Sequence, residues 1–336
     1  MTTDIRNKKC VDFHAHPVTD LFRNSVSELG IDVIEEDGFP LPAWSVDDQL
    51  RFMETAGIDF SVLSAPSPHL YNGDGEKSAR VVRRVNFEAS EIVKTHSDKL
   101  AFVGTVPLPD AYSAIVETAY VLDILGAVGL KVATNMGGVY LGDPAFDPVL
   151  EEWNKRKALV IIHPCRARLR PENSITGRVA AIYEYPADTT RAVLNMIANR
   201  VMTRFPNIDW VVPHCGSFLP YMLQRFAGVT GILAALDMME TVDAKSEFER
   251  LYFDIAGDPE PTHLEMLRMV ASDDRILYGT DFPHSPAKIV VAKKQHFDSN
   301  PKYDGIREQI YAENARNLLL KHGDFTAKSR AAFKRR

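Results

Sequence analysis

Cysteine is scarce in this chain and forms no recognisable pattern. Of 336 residues only Cys10, Cys165 and Cys215 are cysteines, and no two of them are spaced as CxxC. An odd number of cysteines without that spacing argues against a disulfide framework and is typical of a reducing compartment. We therefore expect a cytoplasmic protein.

The chain also lacks an excess of positive charge and any long apolar run. Its net charge of −6 and pI near 5.9 argue against a nucleic-acid-binding surface and against a polybasic membrane patch. No stretch approaches the length of a membrane span, and residues 1–9 lack the apolar core of a signal peptide. The basic residues 326–336 are interpreted as a solvated tail. We expect neither a nucleic acid nor a membrane as a partner.

What the chain does contain is a regular alternation of short apolar segments with longer amphipathic ones. The composition, 45% hydrophobic and 25% charged, supplies ample material for a core. The apolar segments are nearly continuous, as expected for parallel strands buried on both faces. Predicted strands lie near 10–15, 59–66, 101–107, 129–134, 159–163, 209–214, 251–255 and 276–280. Predicted helices lie near 46–56, 77–96, 110–126, 145–157, 187–204, 217–236, 261–271 and 304–321.

Eight strand–helix units favour a (β/α)8 TIM barrel, formed by a single domain over residues 8–325. Ser45 and Asp110 are predicted N-caps, and Gly57 and Gly126 are predicted helix ends. A doubly wound sheet would require a glycine-rich turn after the first strand. The chain has His-Ala-His-Pro at that place, starting at His14.

The two histidines at the end of the first predicted strand, His14 and His16, indicate a metal site. Side chains at i and i+2 of a strand point to the same face, so both imidazoles would face one point. Active sites of barrels lie at the carboxyl ends of the strands. Three further strand ends carry His163, His214 and Asp281.

His14, His16, His163 and Asp281 would supply three nitrogens and one carboxylate oxygen to one divalent metal. This set suits Zn²⁺ most closely and is tolerated by Mn²⁺, Co²⁺ or Fe²⁺, and no organic cofactor is expected. His214 could be a further ligand, or it could lie beside the metal as an acid or base.

Other residues leave alternatives open. Lys131 could be a carboxylated lysine that bridges two metals or, as we favour, a buried or rim lysine with an ion-pair partner. Cys165 and Cys215 would point away from the histidines that precede them and are interpreted as packing residues. Residues 17–44 are predicted to cover the barrel mouth, with Phe39 and Trp44, together with Tyr71, as candidate aromatic walls. Residues 164–186 form a second long loop, which either contacts an anionic aromatic ligand or has no function. The residues that could make this contact are Arg166, Arg168, Arg170, Tyr183 and Tyr185.

Taken together, these motifs resemble the amidohydrolase superfamily. The resemblance also includes Gly279-Thr280-Asp281-Phe282-Pro283-His284, Asp188-Thr189-Thr190-Arg191 and Arg204-Phe205-Pro206, and it covers nearly the whole chain. Within the superfamily the chain is similar to the non-oxidative decarboxylases typified by aminocarboxymuconate-semialdehyde decarboxylase and the salicylate-type enzymes. The overall pattern is closest to 6-methylsalicylate decarboxylases.

The resemblance implies that His14, His16, His163 and Asp281 hold one divalent metal and that His214 is an acid/base or polarising residue. It also implies a homodimer in which Arg225 reaches a substrate carboxylate across the interface; an ordinary surface arginine is the alternative. Arg191, expected at the start of a helix, either binds an anion or forms a structural salt bridge. Ser217 stands where several phenolic-acid decarboxylases carry an acid, so an acid–histidine pair is not expected.

The leading functional hypothesis is metal-dependent removal of CO2 from a small aromatic or unsaturated carboxylic acid, such as an ortho-hydroxybenzoate. His214 or Asp281 would deliver the proton to the ring carbon, and Arg225 or Arg191 would hold the anion. One alternative is hydrolysis of an amide, lactone or ester by a metal-activated water. Another is a non-catalytic metal-binding barrel, although structural zinc sites are more often rich in thiolates.

Overall fold

Eight parallel strands form the central sheet of the computed structural model, which describes residues 4–168, 171 and 173–323. Every strand pairs with its neighbours in chain order. The strands are β1 (Val11–Ala15), β2 (Phe60–Leu63), β3 (Leu100–Thr105), β4 (Gly129–Ala133), β5 (Leu159–His163), β6 (Asp209–Val212), β7 (Tyr252–Asp254) and β8 (Ile276–Leu277). A two-stranded antiparallel hairpin, Asn135–Met136 with Val139–Tyr140, follows β4.

The sheet closes where the chain after β8 meets β1. The backbone N–H of Phe13 donates to the carbonyl of Tyr278 at 2.9 Å, and Ala15 forms a parallel bridge with Phe282. All residues of β1 to β6 are buried, because the sheet is covered on both faces. The predicted single-domain (β/α)8 barrel is confirmed. The predicted basic tail, residues 326–336, lies outside the described residues.

Helices surround the sheet and fill the connections. They are α1 (Asp20–Glu28), α2 (Val33–Asp37), α3 (Val46–Ala56), α4 (Gly75–Thr95), α5 (Ala111–Ala119), α6 (Asp147–Arg156), α7 (Ile175–Arg178), α8 (Glu184–Ala198), α9 (Val201–Arg204), α10 (Leu219–Ala235), α11 (Ala244–Phe248), α12 (His263–Arg268), α13 (Ala287–Ser299) and α14 (Asn314–His322). None of the helices in the described part of the chain is both long enough and apolar enough to cross a membrane.

Local signals explain several helix ends. The side chains of Ser45 and Asp110 accept the backbone N–H groups of Asp48 and Ser113, as expected of N-caps. Gly57 ends α3 in the left-handed conformation, with φ of 66°.

One predicted helix is wrong in its bounds. The region predicted as a helix over 187–204 is two helices, because Arg200 adopts φ of 54° between α8 and α9. Since α8 begins at Glu184, Arg191 lies within the helix and not at its start. The macrodipole argument for an anion near Arg191 therefore does not apply.

Candidate metal centre and its cavity

The four residues predicted as metal ligands lie together at the carboxyl ends of the strands. His14 lies in β1 and His16 directly follows that strand. His163 is the last residue of β5, and Asp281 follows β8. Their potential ligand atoms all lie within 4.8 Å of one another. The Oδ1 atom of Asp281 lies 3.2 Å from Nε2 of His16 and 3.6 Å from Nε2 of His14.

Each of the three imidazoles is oriented by a hydrogen bond from its other ring nitrogen. Nδ1 of His16 donates to the carbonyl of Ser64, and Nδ1 of His163 donates to the carbonyl of Pro164, both at 2.9 Å. Nδ1 of His14 donates to Asp254 Oδ2 at 2.9 Å. These acceptors hold a proton on Nδ1, so Nε2 is the nitrogen of each ring that can bind a cation. Burial lowers the pKa of His14, but the carboxylates of Asp254 and Asp281 outweigh it and raise that pKa to about 9. A cation therefore binds Nε2 of His14 by displacing its proton.

The Nε2 atoms of His14 and His16 are buried and have no hydrogen-bond partner among the described residues. Buried polar atoms without partners are rare in folded proteins, and a bound ion is one explanation for them. Three imidazole nitrogens beside a carboxylate are a donor set that divalent transition metals prefer. Burial raises the pKa of Asp281 but the neighbouring histidines outweigh it, so its pKa lies below the ordinary value and the group is a carboxylate at neutral pH. The residues present therefore fit one divalent cation.

Two buried acids that the sequence analysis missed hold this cluster in place. Asp12 accepts hydrogen bonds from the backbone N–H of His14 at 3.0 Å and from the N–H and hydroxyl of Thr280 at 3.0 and 2.7 Å. The second acid is Asp254, which is also fully buried. Burial raises the pKa of Asp12 to about 7 although these hydrogen bonds oppose the shift. An acid within an otherwise apolar strand was the available signal, since an acid is rarely buried without a partner.

His214 lies beside the four-residue cluster. Its ring centroid is 5.0 Å from that of His14 and 6.4 Å from that of His163. Burial, together with the charge of His14, lowers the pKa of His214, so the imidazole is neutral at neutral pH.

The turn that carries His214 is backbone-strained. His214, Cys215 and Ser217 have φ of 57°, 53° and 57°, in a region that residues other than glycine seldom occupy. Asp254 Oδ1 accepts the backbone N–H of His214 at 3.1 Å and helps to hold this conformation. Such strain is common at functional sites, where the surrounding structure maintains it.

A cavity of about 690 Å³ opens from the cluster. His163, His214, Asp281 and His284 line its polar floor. His284 ends the motif that begins at Gly279, and no role was predicted for it. Its ring lies 5.2 Å from that of His16, and burial lowers its pKa to about 4.

Residues 17–44 were predicted to cover the barrel mouth, and of these Asp37 and Phe39 line the cavity. Asp37 ends α2 and accepts hydrogen bonds from the hydroxyls of Ser67 and Tyr185. Gly38 has φ of 84°, and a Cβ there would overlap the carbonyl of Arg178, so this close contact requires glycine. Phe39, which follows, lines the cavity.

The other candidate contacts lie in different places. Tyr185 lines the cavity, but Trp44 and Tyr71 do not, among the described residues. Trp44 packs against the main core and donates through Nε1 to Gln49 at 3.1 Å. Arg166 pairs with Glu35 and Glu36, while Arg168 lines a separate cavity of about 450 Å³. Arg170 lies outside the described residues.

Neither predicted anion-binding arginine lines the cavity in the described part of the chain. Arg225 is exposed on α10. Arg191 bonds Asp188 and the hydroxyl of Tyr140, each at 2.9 Å, so it forms the structural salt bridge that was the alternative. Among the described lining residues, Lys293 is the single lysine or arginine.

Lys131 is buried, with 2% of its surface exposed. Its Nζ lies 3.4 Å from the carbonyl of Pro66. We expected an ion-pair partner for Lys131, but no carboxylate among the described residues forms an ion pair with it. Burial lowers the pKa of Lys131 to about 8.

The cysteines that follow two of the histidines are also buried. Burial raises the pKa of Cys165 to about 12, so its thiol stays protonated, and Cys215 is shifted in the same direction. Both are therefore unreactive packing residues, as predicted.

The chain is similar in sequence and in fold to several known proteins. The chain is 27% identical to a 6-methylsalicylic acid decarboxylase of Aspergillus aculeatus, over 92% of this chain and 95% of that protein. The crystal structure of an amidohydrolase II shares 28% identity and a TM-score of 0.86, over 93% of this chain and 99% of that one. A dihydroxybenzoic acid decarboxylase of Polaromonas sp. JS666, solved with bound manganese and the inhibitor 2-nitroresorcinol, has the same fold. It shows 19% identity and a TM-score of 0.80, over 97% of this chain and 100% of that one.

A family model described as amidohydrolase matches residues 11–320, which include every strand and every residue of the cluster. The protein is thus a member of the amidohydrolase family.

Proposed function

We propose that this protein is a carboxy-lyase that removes CO2, without oxidation, from a small aromatic or unsaturated carboxylic acid. The observation that carries the proposal is the cluster of His14, His16, His163 and Asp281. Its members His163 and Asp281 line a cavity that His214 also lines. The similarity to proteins named as decarboxylases supports the reaction class. The preferred substrate is an ortho-hydroxybenzoate such as 6-methylsalicylate.

The four clustered residues would hold one divalent cation, Zn²⁺ in the first place and Mn²⁺ as the alternative. When bound, the ion would supply Lewis-acid chemistry, polarising the carboxylate and the adjacent hydroxyl of the substrate. The donor set supports either ion, because imidazole and carboxylate suit both. No organic cofactor enters the proposal.

The protein's own residues would transfer one proton from the substrate's hydroxyl group to its ring carbon. His214, neutral because burial lowers its pKa, can accept the proton of the substrate's ortho hydroxyl. It can then return that proton to the ring carbon that bears the carboxylate. The carbon–carbon bond breaks, its electron pair restores the aromatic ring, and CO2 leaves. Asp281 is the alternative proton carrier, since it lies at the same floor.

Holding the substrate anion requires positive charge or hydrogen-bond donors. Arg225 is exposed on α10 of its own protomer, so it would serve another copy in a homodimer. Exposed apolar side chains on or just after the same helix support an interface there, namely Val229, Ile232, Leu236 and Met238. Arg191 would have to leave Asp188 to contact a substrate. Light scattering across a dilution series tests the dimer, and a monomer at all concentrations would contradict it.

The three free, buried cysteines are compatible with the cytoplasmic location that we propose.

The decisive experiment combines metal analysis with two activity screens on the same preparation. CO2 release is measured over hydroxylated and methylated benzoates and muconate semialdehydes, and cleavage is measured over a panel of esters, lactones and amides. We expect about one metal per chain, CO2 release and no cleavage. Cleavage without CO2 release would identify a hydrolase, and a metal-loaded protein inactive on both panels would favour a binding role.

A further inference from the structure

Part of the cavity lining is an apolar wall. Ile182, Phe218 and Met266 line it, together with Tyr221. They come from three separate parts of the chain: the segment before α8, the start of α10 and the body of α12. This wall and the His–Asp floor belong to one continuous cavity, so a molecule held at the floor must extend along the wall or leave it in contact with water.

Two of these apolar side chains are strongly exposed. Ile182 is 56% exposed and Tyr221 is 74% exposed, while Tyr183, at 49% exposure, packs against Phe218 with ring centroids 5.4 Å apart. Exposed apolar groups gathered at the mouth of a cavity commonly mark the place where a ligand is bound. Covering them with an apolar group would remove this surface from water, which is favourable.

The cavity is also larger than a small acid such as 6-methylsalicylate requires. Its volume of about 690 Å³ falls within the roughly 300–1,000 Å³ that hold drug-sized ligands. A benzene ring with a carboxylate, a hydroxyl and one methyl group would occupy the floor and leave the apolar wall uncovered.

We propose that the substrate carries an extended apolar substituent, such as a straight alkyl chain, which lies along Ile182, Phe218, Tyr221 and Met266. This inference rests on the proposed function, because it places the carboxylate at the His–Asp floor. It narrows the substrate class from simple ortho-hydroxybenzoates to those with a chain of several carbons on the ring.

The test is a chain-length series measured by binding as well as by turnover. Two sets of 2-hydroxybenzoates carry methyl, propyl or pentyl at position 6 or at position 4. Their dissociation constants for the metal-loaded protein are measured by calorimetry, and CO2 release is measured in parallel. In the better set we expect each added methylene to tighten binding by roughly fourfold, as the burial of one methylene group predicts.

Two variants locate the effect and one controls for it. Met266→Gln and Tyr221→Ser should each flatten the dependence on chain length, and Tyr221 is exposed enough to be replaced without harm to folding. Met269→Gln is the matched control, because Met269 directly follows α12, is 83% exposed and does not line the cavity. It should keep the wild-type dependence.

The outcomes separate this inference from the proposed function. Equal or weaker binding of compounds with longer alkyl chains, in both sets, would overturn the inference. This result is expected if a second copy of the protein covers the apolar wall. A length dependence that survives in both wall variants would overturn it too, because the chain would then bind elsewhere. Length-dependent binding without CO2 release would support the inference and contradict decarboxylation. CO2 release from the methyl compounds alone would support decarboxylation and contradict the inference.

Discussion

The carboxylate of Asp254 accepts a hydrogen bond from Nδ1 of His14 at 2.9 Å. Its other oxygen accepts the backbone N–H of His214 at 3.1 Å and that of Ala256 at 3.0 Å. One buried acid thus orients a candidate metal ligand and also fixes the turn that carries the candidate acid/base. The geometry of the two groups is coupled through this single side chain.

Asp254→Asn should weaken metal binding by about 10- to 100-fold, the usual effect of losing a partner of a ligating histidine. An amide cannot accept hydrogen bonds from all three partners. If its NH2 group faces His14, the imidazole proton moves to Nε2 and the lone pair directed at the metal is lost. A chelator competition assay measures the affinity.

The control for this change is Asp188→Asn. Asp188 is equally buried, but its carboxylate bonds Thr134, Tyr140 and Arg191 rather than a histidine of the cluster. It should retain wild-type metal affinity. Equal affinity in Asp254→Asn and the wild type would show that Asp254 does not orient His14.

His16→Ala should abolish metal content and activity together, because Nε2 of His16 is a buried nitrogen of the cluster that has no hydrogen-bond partner among the described residues. Metal content is measured by elemental analysis after dialysis. His296→Ala is the comparison, since the His296 side chain is 71% exposed. Full metal retention in His16→Ala would remove His16 from the ligand set.

His214→Ala should retain the metal and lose turnover by roughly 10²- to 10⁴-fold, the typical contribution of a general acid or base. The reason is that His214 lies outside the four-residue cluster yet lines the cavity beside it. Paired measurements of metal content and kcat check this, and an unchanged kcat would refute the catalytic role.

Lys131→Met should stabilise the protein at neutral pH by on the order of 1–3 kcal/mol, because it removes a buried ammonium group that has no ion-pair partner among the described residues. The pKa of Lys131 is lowered to about 8 by burial, from 10.5 in the unfolded chain. The folded protein thus binds this proton more weakly than the unfolded one. The destabilisation is complete below pH 8 and disappears as the pH rises toward 10.5.

Denaturant titrations at several pH values measure this gain, which should shrink between pH 8 and pH 10. A constant gain across that range would show that the lysine charge is not its source. Loss of metal from Lys131→Met would instead assign Lys131 to the metal site.

Much of the fold could be predicted because its signals are local. Buried parallel strands read as continuous apolar runs, and caps such as Ser45 mark where helices begin. The family resemblance and the barrel are both confirmed, and His14, His16, His163 and Asp281 do converge. They could be identified because each stands at a strand end, where barrel topology alone brings side chains together.

The remainder of the site depends on contacts between distant segments. Asp12 and Asp254 act through hydrogen bonds to other strands, which no local pattern encodes. The position of Phe39 in the cavity lining depends on the fit of Gly38 against Arg178. The two arginines were selected by residue type and motif, but the direction of a side chain on a helix is decided by packing that the sequence does not display.

The hydrogen bonds from Thr280 to Asp12 join residues 268 positions apart. They connect the first strand to the chain beyond the last one, and these two segments also contribute His14, His16 and Asp281. No fragment that lacks either terminal strand can therefore assemble the ligand set. Metal uptake during refolding should report completion of the whole ring, whereas a circular permutant opened at a surface loop would regain the ion as readily as the natural chain.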